Sequence, residues 1–232
     1  MPNWCDNSVF LTHDDPVMIQ RAIDSFNDCR LMSEFHPCPK ELTETMAGFC
    51  GAGTYAQELL EFKDKLNIKY FGYANWYDWN NANWGTKWDV GASCGGGDGH
   101  ITRNNENSII LSFISAWSPP IEFYSKLVEL GFNVSAKYYE SGMGFCGSWE
   151  DGIDNFYNIP HKSQLVIDSI PEELDQEFCI SESMAEWEYD DLISQINELE
   201  QKIEGEGCEE TCHQLRQDLE LLRDDLNKLE LA

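Results

Sequence analysis

The chain has 232 residues and a net charge of −27, from 42 acidic against 15 basic side chains, with 42% apolar residues and eight Trp. It is long enough for one sizeable core plus an appendage, and too rich in apolar and aromatic residues to be a disordered acidic tract. The charge argues against direct binding of nucleic acid, duplex DNA above all, because phosphates would be repelled, and against anionic membranes, and no apolar run is long enough to span a bilayer.

The opening Met1-Pro2-Asn3-Trp4-Cys5 has no basic or apolar leader region, so no secretory signal is expected. Nine scattered Cys fit reduced thiols in a cytoplasm better than a disulfide framework. Residues 8–13 read as a strand. Asp14, Asp15 and Pro16 then start a helix, whose stripe of Val17, Ile19, Ala22, Ile23 and Phe26 runs to about Cys29. Leu31 to Phe35 read as a short strand ended by His36-Pro37-Cys38-Pro39. A second helix, over 54–66, belongs to an insertion at about 40–84 that also holds the Trp-rich stretch. Lys87 to Cys94 read as a strand, and Gly95 to Gly99 as a loop. Ser108 to Trp117 give the strongest strand. Ser118-Pro119-Pro120 open a helix that closes at Gly131. Phe132 to Glu140 alternate as a strand, Ser141 to Gly144 turn, and Phe145 to Glu150 return.

Strands and helices in that order predict an α+β domain over 1–168. Its expected form is an antiparallel or mixed sheet with helices on one face, the split βαβ topology called ferredoxin-like. After Asp168 the composition changes. Leu192, Ile196, Leu199 and Ile203 are spaced 4, 3, 4; Leu215, Leu219, Leu222, Leu226 and Leu229 are spaced 4, 3, 4, 3. Both are heptad seams. Glu204-Gly205-Glu206-Gly207 breaks the phase between them. An acidic antiparallel coiled-coil hairpin over 183–232 is the expected result, and its seams could also join two copies as a homodimer.

Four blocks carry a family likeness. They are Met1 to Asn7 (MPNWCDN), Asn83 to Asp89 (NWGTKWD), Ser115 to Pro120 (SAWSPP) and Tyr138 to Gly147 (YYESGMGFCG). In this order they resemble the YubB-like proteins of plasmids and bacteriophages, over roughly residues 1–155. The resemblance implies a ferredoxin-like domain and an origin on a mobile element, hence the cytoplasm of a bacterial host. It brings no catalytic residues. The acidic hairpin lies outside it.

No motif for catalysis stands out. There is no Gly-x-Ser-x-Gly, no His-Glu-x-x-His and no calcium loop, so no enzyme is expected, although a Cys5 or Cys50 paired with a distant His stays open. Cys208, Cys212 and His213 lack the close ligand pairs of a zinc site, and Cys208 and Cys212 continue the leucine seam, so no metal or cofactor is expected. The glycine run lacks the Lys and following helix of a phosphate loop. Trp76, Tyr77, Trp79, Trp84 and Trp88 are either core anchors, a docking surface, or a platform for single-stranded RNA or DNA.

Residues Glu182 to Ala232 hold sixteen acidic side chains against four basic ones. On helices about 30 Å long this is one net charge per roughly 2.5 Å, against one per about 1.7 Å of duplex DNA. Solubility alone needs far less. The expectation is a phage or plasmid accessory protein that inhibits a host nucleic-acid-handling or defence protein by occupying its basic surface. Glu198, Glu209, Glu210, Asp218, Asp224 and Asp225 would make the contact, with Trp76 and Trp79 as anchors. The alternative is an RNA- or single-strand-binding module using the Trp face, with the hairpin as dimeriser.

Overall fold

The computed structural model describes residues 3–94, 99–205 and 209–230. The chain divides into two compact units, Met1–Phe156 and Tyr157–Ala232. In order, the first holds β1 (Trp4–Thr12), α1 (Pro16–Asn27), α2 (Leu31–Phe35), α3 (Lys40–Thr43), α4 (Tyr55–Phe71), α5 (Trp76–Asn83), β2 (His100–Asn105), β3 (Ser108–Ala116), α6 (Ile121–Glu129), β4 (Asn133–Glu140) and β5 (Phe145–Glu150), and β6 (Ile153–Asn158) crosses the boundary. The second holds α7 (Ser163–Ser169), α8 (Glu172–Phe178), α9 (Ile180–Gly205) and α10 (Glu209–Glu230).

The six strands form one antiparallel sheet in the order β2-β3-β1-β4-β5-β6. Alternation along the strands turns one face inward. Val9 faces Leu111 and Ala136 across the ladder, and Leu11 faces Ile109 and Val134. That face joins Ile19, Ala22 and Phe26 of α1 and Phe123, Tyr124 and Leu127 of α6 in a single core. Each such fully buried side chain contributes about 1.5–3 kcal/mol by leaving water. Asn7, also buried, is satisfied in place: its Nδ2 donates to the Cys5 carbonyl at 2.8 Å and to Ser115 Oγ at 2.8 Å, and Tyr124 donates to its Oδ1 at 3.1 Å.

Two sequence expectations are corrected. Leu31–Phe35 is a helix, not a strand. The Asp89 carboxylate accepts the Met32 N–H at 2.7 Å and the Ser33 N–H at 2.9 Å, capping the helix from 57 and 56 residues away. Lys87 to Cys94 are not a strand. This stretch lies against the end of α1, where Ala92 N–H donates to the Phe26 carbonyl at 3.0 Å. The edge strand on that side is β2, eight residues further on from Ala92 at its first residue. The glycine loop expected at 95–99 lies outside the described residues except for Gly99.

In the second unit α9 and α10 pack along their lengths. Arg223 reaches back to Glu200 at 2.6 Å, and the Cys212 thiol lies 4.0 Å from the Ile203 carbonyl, so the two helices run in opposite directions. Ile196 and Leu219 are the buried seam residues. Residues 157–182 belong with these helices: Ser163 donates through N–H at 2.7 Å and through Oγ at 2.9 Å to the Glu188 carboxylate. The second compact unit begins at Tyr157. Among the described residues no helix is long and apolar enough to cross a membrane.

Candidate functional site

Turning the apolar seam inward leaves the carboxylates of α9 and α10 outside. Glu198, Glu210, Asp224 and Asp225 are exposed and Asp218 half-exposed. Glu209 opens α10, but its side chain lies outside the described residues. Glu198 pairs loosely with Lys202 at 3.8 Å, and Asp218 accepts from Gln214 Nε2 at 3.1 Å. Asp218 and Asp225 are seven residues apart and share one side of the helix. Asp225 also lines a cleft of about 290 Å³ with Trp187, Glu188 and Asp191. From Glu210 to Asp225 the acidic track runs about 22 Å, at 1.5 Å per residue. On α10, Glu210, Asp218, Asp224 and Asp225 are thus spread along the helix rather than gathered in a single cluster.

The predicted Trp anchors part company. Trp79 is a core residue, 6% exposed, set edge-on against Trp84 with ring centroids 5.8 Å apart. Its indole cannot serve as a surface anchor. Trp76 is half-buried and meets Tyr77 edge-on at 5.9 Å.

A second constellation was not legible in the sequence. At the end of the sheet where Trp4 is paired with Ala116 and Cys5 with Glu140, all four blocks of the family likeness meet. The Lys87 ammonium sits over three rings, 4.2 Å from the Trp88 centroid, 5.1 Å from Trp117 and 5.8 Å from Tyr77. Trp4 lies 6.0 Å from Trp88 on the outer side. The strap bearing Lys87 is tied to the strand end: Thr86 Oγ1 donates to the Ala116 carbonyl at 2.9 Å, and Ser118 Oγ donates to the Gly85 carbonyl at 2.6 Å. Gly85 has φ +83°, and a Cβ there would lie 3.0 Å from the Ile121 backbone nitrogen and 3.2 Å from the Pro119 carbonyl oxygen, so a side chain would be strained where the strap docks. Trp117 itself holds φ +69°, a conformation that is unusual for a bulky residue. Its N–H donates to the Asn3 carbonyl at 2.9 Å.

Burial, with Asp6 and Glu140 beside it, pushes the Cys5 thiol far above its ordinary range, which is the opposite of an activated thiolate. Burial pushes Cys38 up to about 11, and burial together with the neighbouring Cys29 pushes Cys94 up to about 12. Tyr138 donates to Asp154 at 2.6 Å, and burial raises its phenol well beyond the usual value. Among the described residues no group of three His, Cys, Asp or Glu side chains gathers in a way that could hold a metal.

No family model matches the chain, and no curated protein matches it at a significant level. Among solved structures it is similar to protein api92 from Yersinia pseudotuberculosis, of the family DUF1281. The identity is 12%, with 69% of this chain and 99% of that chain covered, at a TM-score of 0.38.

Proposed function

We propose that this is a non-enzymatic accessory protein of a phage or plasmid that binds and inhibits a host nucleic-acid-handling or defence protein through the acidic stripe on α9 and α10. The observation that carries the reading is the division of the helix pair: Ile196 and Leu219 turned in, Glu198, Glu210, Asp224 and Asp225 turned out. Such a stripe matches the charge pattern of a phosphate backbone and would steer a basic cleft toward it. The 4, 3, 4 seams support a coiled-coil pairing of these helices. In the first unit, the order β2-β3-β1-β4, with α1 between β1 and β2 and α6 between β3 and β4, supports the ferredoxin-like topology and with it the YubB-like resemblance.

The test is affinity capture from host cells with the full chain, comparing the natural sequence with Asp218→Lys, Asp224→Lys and Asp225→Lys combined. The natural chain should capture a protein that is released by high salt, and the triple variant should capture none. Capture that survives both the charge reversal and high salt would end the electrostatic reading.

A further inference from the structure

We propose that the cage of Trp117, Trp88 and Lys87 binds single-stranded nucleic acid, one base stacking on the exposed indole of Trp117 and its phosphate taken by the Lys87 ammonium. This site is independent of the acidic stripe. Three observations point to it.

The first is the isolation of Lys87. In a chain with 42 acidic residues, its ammonium rests on three π faces, and among the described residues no carboxylate lies within ion-pair range of it. A cation held by rings alone keeps its attraction for an arriving anion. The second is exposure. Trp117 is 40% and Trp88 37% exposed, and the rings they touch, Tyr77 and Trp4, are half-buried.

The third is the backbone of Trp117. At φ +69° a glycine would be at ease, and a tryptophan is held there against its preference. The hold comes from a chain of bonds: Asn7 Nδ2 to Ser115 Oγ at 2.8 Å, Ser115 Oγ to the Ser118 carbonyl at 2.7 Å, and the Trp117 N–H to Asn3. The ring packs against Lys87 and Tyr77 yet stays 40% exposed, so the strain is set in part against what its open surface can bind. Rings that stack bases with a single adjacent cation take a short single strand; a duplex hides its base faces. The repulsion from the rest of the chain is screened beyond roughly 8 Å at physiological salt.

The probe is a fluorescein-labelled adenylate single strand of about eight nucleotides, titrated with full-length protein and read by anisotropy. Loss of one stacked base should weaken binding by about 5- to 100-fold in Trp117→Gly, while urea denaturation shows that variant no less stable than the natural chain. Trp117→Phe should recover part of the affinity, and Lys87→Met should lower it. With one phosphate neutralised, affinity should fall only about threefold between about 50 and 200 mM salt. No saturable binding, equal binding by the natural chain and Trp117→Gly, or a steep polybasic salt dependence would each overturn the proposal. So would cage-dependent capture of a basic peptide in place of the oligonucleotide.

Discussion

Replacing Gly147 by Ala tests the geometry at the junction of β4 and β5, next to the cage. A Cβ at Gly147 would lie 2.3 Å from the Tyr138 hydroxyl, 2.4 Å from its Cζ and 2.5 Å from the Asn155 carbonyl oxygen. Ordinary contact begins near 3.4 Å, so the ring must retreat by more than an ångström. Tyr138 is 1% exposed and its hydroxyl is committed to Asp154 at 2.6 Å, so any retreat toward the cleft it lines with Phe145 and Phe156 gives up that bond. Overpacking a tight core costs about 1–3 kcal/mol. Losing a hydrogen bond to a carboxylate adds about 1.5–3 kcal/mol. The sum, about 3–5 kcal/mol when the two overlap, is a large share of a typical stability of about 5–15 kcal/mol. Urea denaturation followed by near-ultraviolet circular dichroism reads it directly. Adding Tyr138→Phe should recover about 1 kcal/mol, since the closest oxygen is then gone. A loss below about 1 kcal/mol in Gly147→Ala would refute this packing, for no flexible side-chain tip stands in the way.

Thiol labelling follows from burial. Exposed Cys179 should react with iodoacetamide well before Cys38 and Cys94, whose rates should keep rising as pH approaches about 11 and about 12 respectively; equal rates at neutral pH would contradict the burial of the latter two. Glu34 takes a hydrogen bond from Arg21 at 2.5 Å and pairs with Arg30 as well, which lowers its pKa. A lowered carboxylate contributes stability above its unfolded value of about 4.3 and loses it as pH falls through the folded value. Glu34→Gln should therefore be less stable than the natural chain at pH 6, and the difference should shrink as pH drops below about 4. A gap that widens on acidification would invert the sign and refute the pairing.

Long periodic segments were legible without coordinates. The apolar run Ile109, Ile110, Leu111, Phe113 and Ile114 marked β3, and the stripe of Phe123, Tyr124 and Leu127 marked α6. Local patterning failed where distant groups decide. Five residues, Leu31 to Phe35, cannot declare a helical period, and their cap comes from Asp89. The edge strand His100–Asn105 has Ile101 as its lone apolar residue, so no alternation announces it. In the predicted site, the outward carboxylates follow from seam spacing alone. Composition could not separate Trp79 from Trp76, because both sit on one helix at i and i+3 and only tertiary packing buries the former. The Lys87 cage depends on φ at Trp117 and on four segments meeting, neither of which leaves a local pattern. The one available signal was that three of the four family-like blocks carry Trp.

An acidic stripe that occupies a surface made for nucleic acid must compete with nucleic acid for it. The most direct test is competition on the captured host protein, with a fluorescent duplex bound first and the full chain added. The account predicts that the duplex is released as the chain binds, and that the variant carrying Lys at 218, 224 and 225 leaves it in place. A ternary complex holding duplex and chain together would contradict it.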